Sequence, residues 1–531
     1  MSTIALTEHG QYGLLRIAEA DREKLERLLF HRYPDKEWGS FFRFGFRRTA
    51  WGIALTFADT LKPELNDLDR ASPLVEFRPG YIRRALDSFE THPLGIGVIH
   101  SHPRGCAPTP SFADDDMDGY FAAEFEKFSN SRPYVSVIVS RDKHGKVVFT
   151  GRVFAHGEWL PLAEWFTIGE DLRREQPFVW SSKSSLTTKS HHQLETETIQ
   201  ERVVSLLGKP ATRRLRNSTI AIIGCSGTGT PAAHVLARAR IGRLVLVDPG
   251  FFKVSNHERN HASRFSDLLL EEPPLKVELL CRLVKEISPD TRITAFCGDL
   301  LDEMVLDELL RCDLILGCTD SHYARAALGD IAIHYTVPVL DLGVRMRAEE
   351  GILREQIGEI TKYAPGLPCP WCQGRVNSKV IRYETATEGE RQFWSEAAAE
   401  AEARGVDGAQ YWGGTPPPEL TVGYLTTAVG ALGAGYAETW LTGAGRMPHS
   451  RFQFDLGLCS LGVVADERQA RVDCACRRTV GWSDQARSDR SVSEPAHWPA
   501  AKKIFDDDTP SAQAVPRAIA PVNDRDCICL T

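Results

Sequence analysis

Two histidines, His100 and His102, stand two residues apart ahead of an aspartate, Asp114, in the string H-S-H-P-R-G-C-A-P-T-P-S-F-A-D (100–114). They close the apolar run GIGVIH (95–100), whose Val and Ile content predicts a strand. Alternate strand residues point the same way, so both imidazoles can reach one ion. Asp114 opens a predicted helix over 114–128 and offers a third ligand. Three protein ligands leave a fourth position for water, the pattern of a catalytic rather than a structural zinc. Ser111 falls in the N-cap region of that helix, where its hydroxyl can face a reacting carbonyl. An isolated H-x-H is most often a pair of surface histidines. Pro103, Ser111 and Asp114 in register with it favour the metal.

A second chemical string is I-A-I-I-G-C-S-G-T-G-T-P (220–231). It follows a predicted strand and opens a helix. Gly224, Gly227 and Gly229 let the backbone approach phosphates, whose charge the helix N-terminus attracts. Asp248 ends the next strand, about 20 residues on, where an acid bonds a ribose.

The first string resembles the JAMM (JAB/MPN) metallopeptidase signature, H-[ST]-H-P-x7-S-x2-D, at every defined position, and the resemblance extends over about residues 10–155. That family cleaves peptide or isopeptide bonds after ubiquitin-like proteins, and some bacterial members trim sulfur carriers. The resemblance implies zinc on His100, His102 and Asp114, with Ser111 supporting the oxyanion. It also implies an upstream glutamate as general base, and Glu37 in DKEWGSFFRFG (35–45) is the candidate. Gly45 lies one residue beyond the family's usual spacing.

The second string and its sequel resemble the ubiquitin-activating and ThiF/MoeB family over about residues 196–480. V-D-P-G-F-F-K-V-S-N-H-E-R-N (247–260) is similar to that family's D-x-D-x-V-x-x-S-N-L-x-R-Q. Lys276, Asp320 in G-C-T-D and Arg202 upstream of the first strand fit its lysine, its C-T-D motif and its arginine, which often reaches across a dimer interface. The resemblance implies that Asp248, Asn256, Arg259, Lys276 and Asp320 hold ATP and magnesium. The reaction implied is adenylation of the C-terminal carboxylate of a ubiquitin-like or sulfur-carrier protein ending in Gly-Gly. Cationic Arg and Lys would neutralise the triphosphate, and a carboxylate would anchor the metal. Three positions depart from the pattern: Ser226 replaces a glycine, Gly250 the second acid, and Asn260 the glutamine.

Cys369-Pro-Trp-Cys372 and Cys474-Ala-Cys476 look like the same family's two-part structural zinc site, with its second half contracted to C-x-C. The crossover region, 377–420, holds no cysteine for a thioester. Two readings stay open there. Either the reaction stops at the acyl-adenylate, or tail cysteines such as Cys527 and Cys529 accept the acyl group.

These motifs need two scaffolds. The fold class expected is α/β: an α+β domain of JAB/MPN type over 1–160, a linker over 161–198, a Rossmann-like ThiF-type domain with a mainly parallel sheet over 199–482, and a disordered tail over 483–531. A chain of 531 residues is long enough for two or three cores. With 42% hydrophobic and 25% charged residues it has an ordinary globular composition. A net charge of −8 argues against nucleic acid as the main partner. The absence of a bilayer-length apolar run argues against a membrane span, and 13 scattered cysteines together with a start lacking a signal pattern suggest a cytoplasmic protein. The joint expectation is a bifunctional peptidase and adenylating enzyme, homodimeric through its second domain, with a conjugating enzyme among its candidate partners. Two alternatives are a degenerate nucleotide-binding scaffold that regulates the peptidase, and an NAD(P) dehydrogenase, which the S-N-H-E-R-N run disfavours.

Overall fold

The computed structural model describes residues 11–32, 34–64, 66–68, 75–103, 106–128, 132–178, 200–408, 421–447, 449–456 and 468–508. Its first part runs β1 (Tyr12–Ala18), α1 (Glu19–Leu29), β2 (Trp38–Thr49), β3 (Gly52–Leu61), α2 (Pro79–Thr91), β4 (Gly95–Ser101), α3 (Phe112–Phe128), β5 (Tyr134–Arg141), β6 (Val147–Ala155), β7 (Glu158–Ile168) and β8 (Leu172–Glu175). The strand order is β1-β3-β2-β4-β5-β6-β7, and β7 pairs back to β1, which closes a seven-stranded barrel. β6 pairs with the first half of β7, and β8 with the second.

The alternation within β4 sorts its side chains. Ile99 joins Leu15, Phe42, Leu55 and Val137 in one buried cluster. Ile96 and Val98 face the other way, against Tyr81 and Phe89 of α2 and Phe121 and Phe125 of α3. His100 shares the parity of Ile96 and Val98, so the strand carries it to the α3 side. The glycines of GIGV have a steric reason. A Cβ at Gly95 would lie 2.5 Å from the Phe44 ring, and one at Gly97 would lie 2.6 Å from the Phe42 ring.

The second part runs α4 (Glu201–Asn217), β9 (Thr219–Ile223), α5 (Gly229–Arg238), β10 (Arg243–Val247), α6 (Lys276–Ile287), β11 (Arg292–Cys297), α7 (Glu303–Leu309), β12 (Leu314–Gly317), α8 (His322–His334), β13 (Val339–Glu349), β14 (Ile352–Tyr363), α9 (Ser378–Thr385), α10 (Glu388–Ala403), α11 (Gly423–Thr442), β15 (Arg451–Asp455), α12 (Ala475–Arg478) and β16 (Lys502–Asp506). Strands β13-β12-β9-β10-β11 are parallel. Antiparallel β14, β15 and β16 complete the sheet. Its strands are apolar on both faces because helices cover both: Ile220, Ile222 and Leu244 meet α5, α6 and α11, while Ala221, Val245 and Ile315 meet α7 and α8. The order of connection reverses between β9 and β12, where ligands bind in such sheets.

Two expected boundaries change. Residues 161–175, read as linker, belong to β7 and β8 of the barrel; 179–199 lie outside the described residues. Part of the expected disordered tail is built in: residues 484–508 include a 3-10 turn at Asp484–Asp489 and β16, which pairs with β11. The rest, 509–531, lies outside the described residues.

Barrel and sheet are joined by buried polar contacts. The Arg16 guanidinium donates to the Leu310 and Cys312 carbonyls at 3.1 and 2.7 Å. Burial pulls its pKa down to about 10, although Asp313 partly opposes the shift. Thr56 Oγ1 donates to the Gly481 carbonyl at 2.7 Å, and Arg47 pairs with Asp307 and Asp484. No helix among the described residues is long and apolar enough to cross a membrane.

Candidate functional site

At the end of β4 the chain places His100, His102 and Asp114 together, each buried. One donor atom from each lies within 4.8 Å of the others. His100 Nε2 is 3.0 Å from Asp114 Oδ1, and His102 Nε2 is 3.6 Å from Asp114 Oδ2. Despite that proximity, neither ring nitrogen of His100 has a well-directed hydrogen-bond partner, although both are buried. Buried polar atoms are rarely left so, and the three groups together form a donor set that fits a cation at one of the His100 nitrogens. His102 Nδ1 sits 2.9 Å from the Ala107 carbonyl, which fixes the ring and turns Nε2 toward the cluster. Burial opposes the Asp114 charge, but His100, His102 and Ser111 outweigh it and hold the carboxyl well below its usual range.

Ser111 and Asp114 cap the start of α3 reciprocally. The Ser111 N–H donates to Asp114 Oδ2 at 2.7 Å, and the Asp114 N–H donates to Ser111 Oγ at 3.3 Å. The Ser111 hydroxyl keeps its own proton to donate. Glu37, just before β2, comes in from the neighbouring strand: Oε2 accepts from the Val75 N–H at 3.1 Å, and Oε1 lies 3.9 Å from His102 Nε2.

A cavity of about 360 Å³ opens at the carboxyl ends of the parallel strands. Gly224, Gly227, Asp248, Asn256, Arg259, Lys276 and Asp320 line it. The turn after β9 needs its glycines. Gly224 has φ +100°, and a Cβ there would lie 2.3 Å from the Cys318 carbonyl oxygen; one at Gly229 would lie 1.9 Å from the Gly224 oxygen. Gly229 opens α5 behind the turn. Asp248 fixes this loop from the end of β10. Its Oδ2 accepts from the Cys225 N–H at 2.8 Å and its Oδ1 from the Gly250 N–H at 2.7 Å, with Lys276 Nζ 3.7 Å away. Arg259 is steered by Thr421, donating to its Oγ1 at 2.9 Å, and Asn256 Oδ1 accepts from the Lys253 N–H at 3.1 Å. Arg202 does not line this cavity; it is exposed at the start of α4.

Among the lining residues that sequence reasoning missed are Tyr323, Thr421 and Trp498. A tryptophan inside a polar, Pro-rich stretch was the available signal for Trp498.

The four cysteines Cys369, Cys372, Cys474 and Cys476 also converge, their sulfurs within 4.8 Å of one another. Cys369 and Cys474 are 3.5 Å apart, Cys372 and Cys476 3.7 Å. Tetrahedral thiolates at 2.3 Å from zinc stand about 3.8 Å apart, so the set fits that ion. Cys474 caps α12, and that single turn lets a C-x-C spacing deliver both sulfurs.

The sequence model of the ThiF family matches residues 200–475 and leaves the barrel outside it. The sulfur carrier protein ThiS adenylyltransferase of Escherichia coli (strain K12) is 31% identical over 128 residues, 24% of this chain and 49% of that protein. The molybdopterin-synthase adenylyltransferase of the same organism is 33% identical over 165 residues, 30% of this chain and 61% of its own length. The adenylyltransferase and sulfurtransferase uba4 of Aspergillus niger is 31% identical over 141 residues, 27% of this chain and 28% of that protein. The chain thus spans about half of the first of these relatives and less than two thirds of each. With the family match covering more than half of its length, this chain belongs to the ThiF family.

Proposed function

We propose that the second domain adenylates the C-terminal carboxylate of a ubiquitin-like or sulfur-carrier protein ending in Gly-Gly. One observation carries the reading: a glycine turn, the cationic side chains of Arg259 and Lys276 and the carboxylates of Asp248 and Asp320 line a single cavity at the switch point of the sheet. The N–H groups of residues 226–229, at the turn and the start of α5, donate to phosphate oxygens. Arg259 and Lys276 neutralise the triphosphate, and the Asn256 amide donates a hydrogen bond to it. Asp320 and Asp248 are assigned to magnesium and ribose. The partner's carboxylate oxygen attacks the α-phosphorus, the bond to the β-phosphate oxygen breaks, and pyrophosphate leaves between Arg259 and Lys276. Arg202, exposed and outside its own cavity, is assigned to the cavity of a second copy. Mass spectrometry of the partner after incubation with ATP tests this. An adenylate is expected with the unmodified protein, and Lys276→Ala or Arg259→Ala should lower its yield about 100-fold or more.

The reaction is read as ending at the acyl-adenylate. Burial pushes the Cys281, Cys312 and Cys318 thiols up to about 12 and Cys225 well above its usual value, and four other cysteines form the metal cluster. Thiolates are the nucleophiles, so buried thiols held protonated are poor acceptors. A thioester that forms on exposed Cys106, on half-buried Cys297 or Cys318, or on Cys459, Cys527 or Cys529, which lie outside the described residues, would overturn this part.

The convergence of His100, His102 and Asp114, with Glu37 beside them, supports a second activity: a zinc-dependent peptidase acting at ubiquitin-like C-termini. A zinc ion held by those three residues would supply Lewis acidity and lower the pKa of water. Glu37 would take a proton from the attacking water and pass it to the leaving amine, while the Ser111 hydroxyl would donate to the carbonyl oxygen. Cleavage of a ubiquitin-like fusion should fall about 100-fold or more in Glu37→Gln and stop after chelation. Undiminished cleavage in either case would remove the peptidase assignment. Placing both sites on one chain raises the local concentration of their shared ligand.

A further inference from the structure

The segment that follows α12 delivers an aromatic side chain to the nucleotide cavity and is held there at both ends. At one end, the buried Asp330 carboxylate of α8 accepts from the Ser491 N–H at 2.7 Å, the Ser491 hydroxyl at 2.9 Å and the Val492 N–H at 3.4 Å. At the other, the Ala501 N–H donates to Asp302 Oδ2 at 2.9 Å, and β16 then joins the sheet beside β11. The contact is close enough to require a glycine: a Cβ at Gly298 would lie 2.4 Å from the Ala501 Cβ.

Between these anchors, the Trp498 N–H donates to the Pro495 carbonyl at 3.0 Å. The Trp498 ring meets Tyr323 edge-on, with centroids 5.0 Å apart at 75°. The Tyr323 hydroxyl in turn donates to Asp299 Oδ1 at 2.9 Å, and the same oxygen accepts from the Leu301 N–H. Trp498, Tyr323, Leu300 and the backbone of Gly298 all line the cavity.

Position along the sheet gives this wall its ligand. The glycine turn follows β9, Asp248 ends β10, and Gly298 follows β11. Neighbouring strands lie about 4.8 Å apart, so the end of β11 is about 10 Å from the phosphate turn. A nucleotide with phosphates on the turn and ribose at Asp248 extends its base toward Gly298–Leu300. A purine is flat and polarisable, and aromatic and aliphatic side chains cover its faces.

We propose that Trp498 is a wall of the nucleobase pocket, so that the segment 491–501 is part of the nucleotide site. The proposal rests on the ATP reading above and adds a residue from outside the 200–475 family match.

Calorimetric titration of the full chain with ATP, adenosine and tripolyphosphate tests it. Trp498→Ala is expected to weaken ATP and adenosine about 10-fold to 100-fold, the scale of base–aromatic stacking, and to leave tripolyphosphate unchanged. Trp498→Phe, which keeps a ring, should stay within about threefold of the unmodified chain. Equal weakening of all three ligands would make Trp498 a structural support and overturn the proposal. Unchanged ATP affinity in Trp498→Ala, with binding still lost in Lys276→Ala, would overturn it while sparing the ATP reading. Absence of ATP binding in the unmodified chain would overturn both.

Discussion

Gly224→Ala is expected to abolish nucleotide binding and to cost roughly 2–4 kcal/mol of stability. Two independent terms set that size. The φ of +100° is open to glycine and strained for alanine. The added methyl would also sit 2.3 Å from the Cys318 carbonyl oxygen, a backbone atom that cannot swing away without moving the end of β12. Relief therefore comes from unseating the turn, which removes the N–H groups that face the phosphates. Gly227→Ala is the control. Gly227 has no positive φ, and its Cβ would meet only side chains, Thr426 Cγ2 at 3.2 Å and Arg259 Cδ at 3.6 Å. Its melting temperature should stay near that of the unmodified chain. Titration with ATP and thermal denaturation of both variants read the two effects separately. If Gly224→Ala bound ATP normally, the turn would not be the phosphate cradle.

Loss of metal from the cysteine cluster should have an effect of similar rank. Cys369 and Cys372 follow β14, whereas Cys474 and Cys476 belong to the short α12 about 100 residues later. A bound zinc would tie these distant segments together, and its binding free energy would add directly to stability. Cys474→Ser is expected to cost several kcal/mol and to remove one metal ion per chain. Elemental analysis separates this site from the other. His100→Ala should release the ion at the barrel and leave the cysteine cluster filled, and Cys474→Ser should do the reverse. A chain that carried no zinc yet melted identically with and without chelator would refute both assignments.

What the sequence exposed was local. His100, His102 and Asp114 are legible because one strand end and the next helix start carry all three. The glycine turn is legible for the same reason: a strand, a turn and a helix follow one another within about 20 residues. Closure of the barrel was not legible. The pairing of β1 with β7 joins segments about 150 residues apart, and nothing in either strand names its partner. Residues 161–175 therefore read as linker, although Leu162, Trp165, Phe166 and Ile168 are buried there.

The stretch 483–508 misled for a different reason. Its composition is polar and Pro-rich, which in isolation gives too little apolar burial to order a chain. Its order comes from partners elsewhere: Asp330, Asp302, Tyr323 and the free edge of β11. Trp498 was invisible as a cavity residue because those partners were. Asp248 lines the cavity from the end of β10, but composition could not reveal that its Oδ2 holds the glycine turn at Cys225 and its Oδ1 the Gly250 N–H.

The central claim is adenylation of a Gly-Gly-ended protein, and pyrophosphate exchange tests it most directly. Unmodified protein is expected to exchange labelled pyrophosphate into ATP only when a ubiquitin-like or sulfur-carrier partner with a free C-terminal carboxylate is present. Exchange should vanish in Lys276→Ala and when the partner's terminal glycines are removed. ATP binding without any exchange, across such partners, would contradict the claim and leave the domain a nucleotide-binding scaffold.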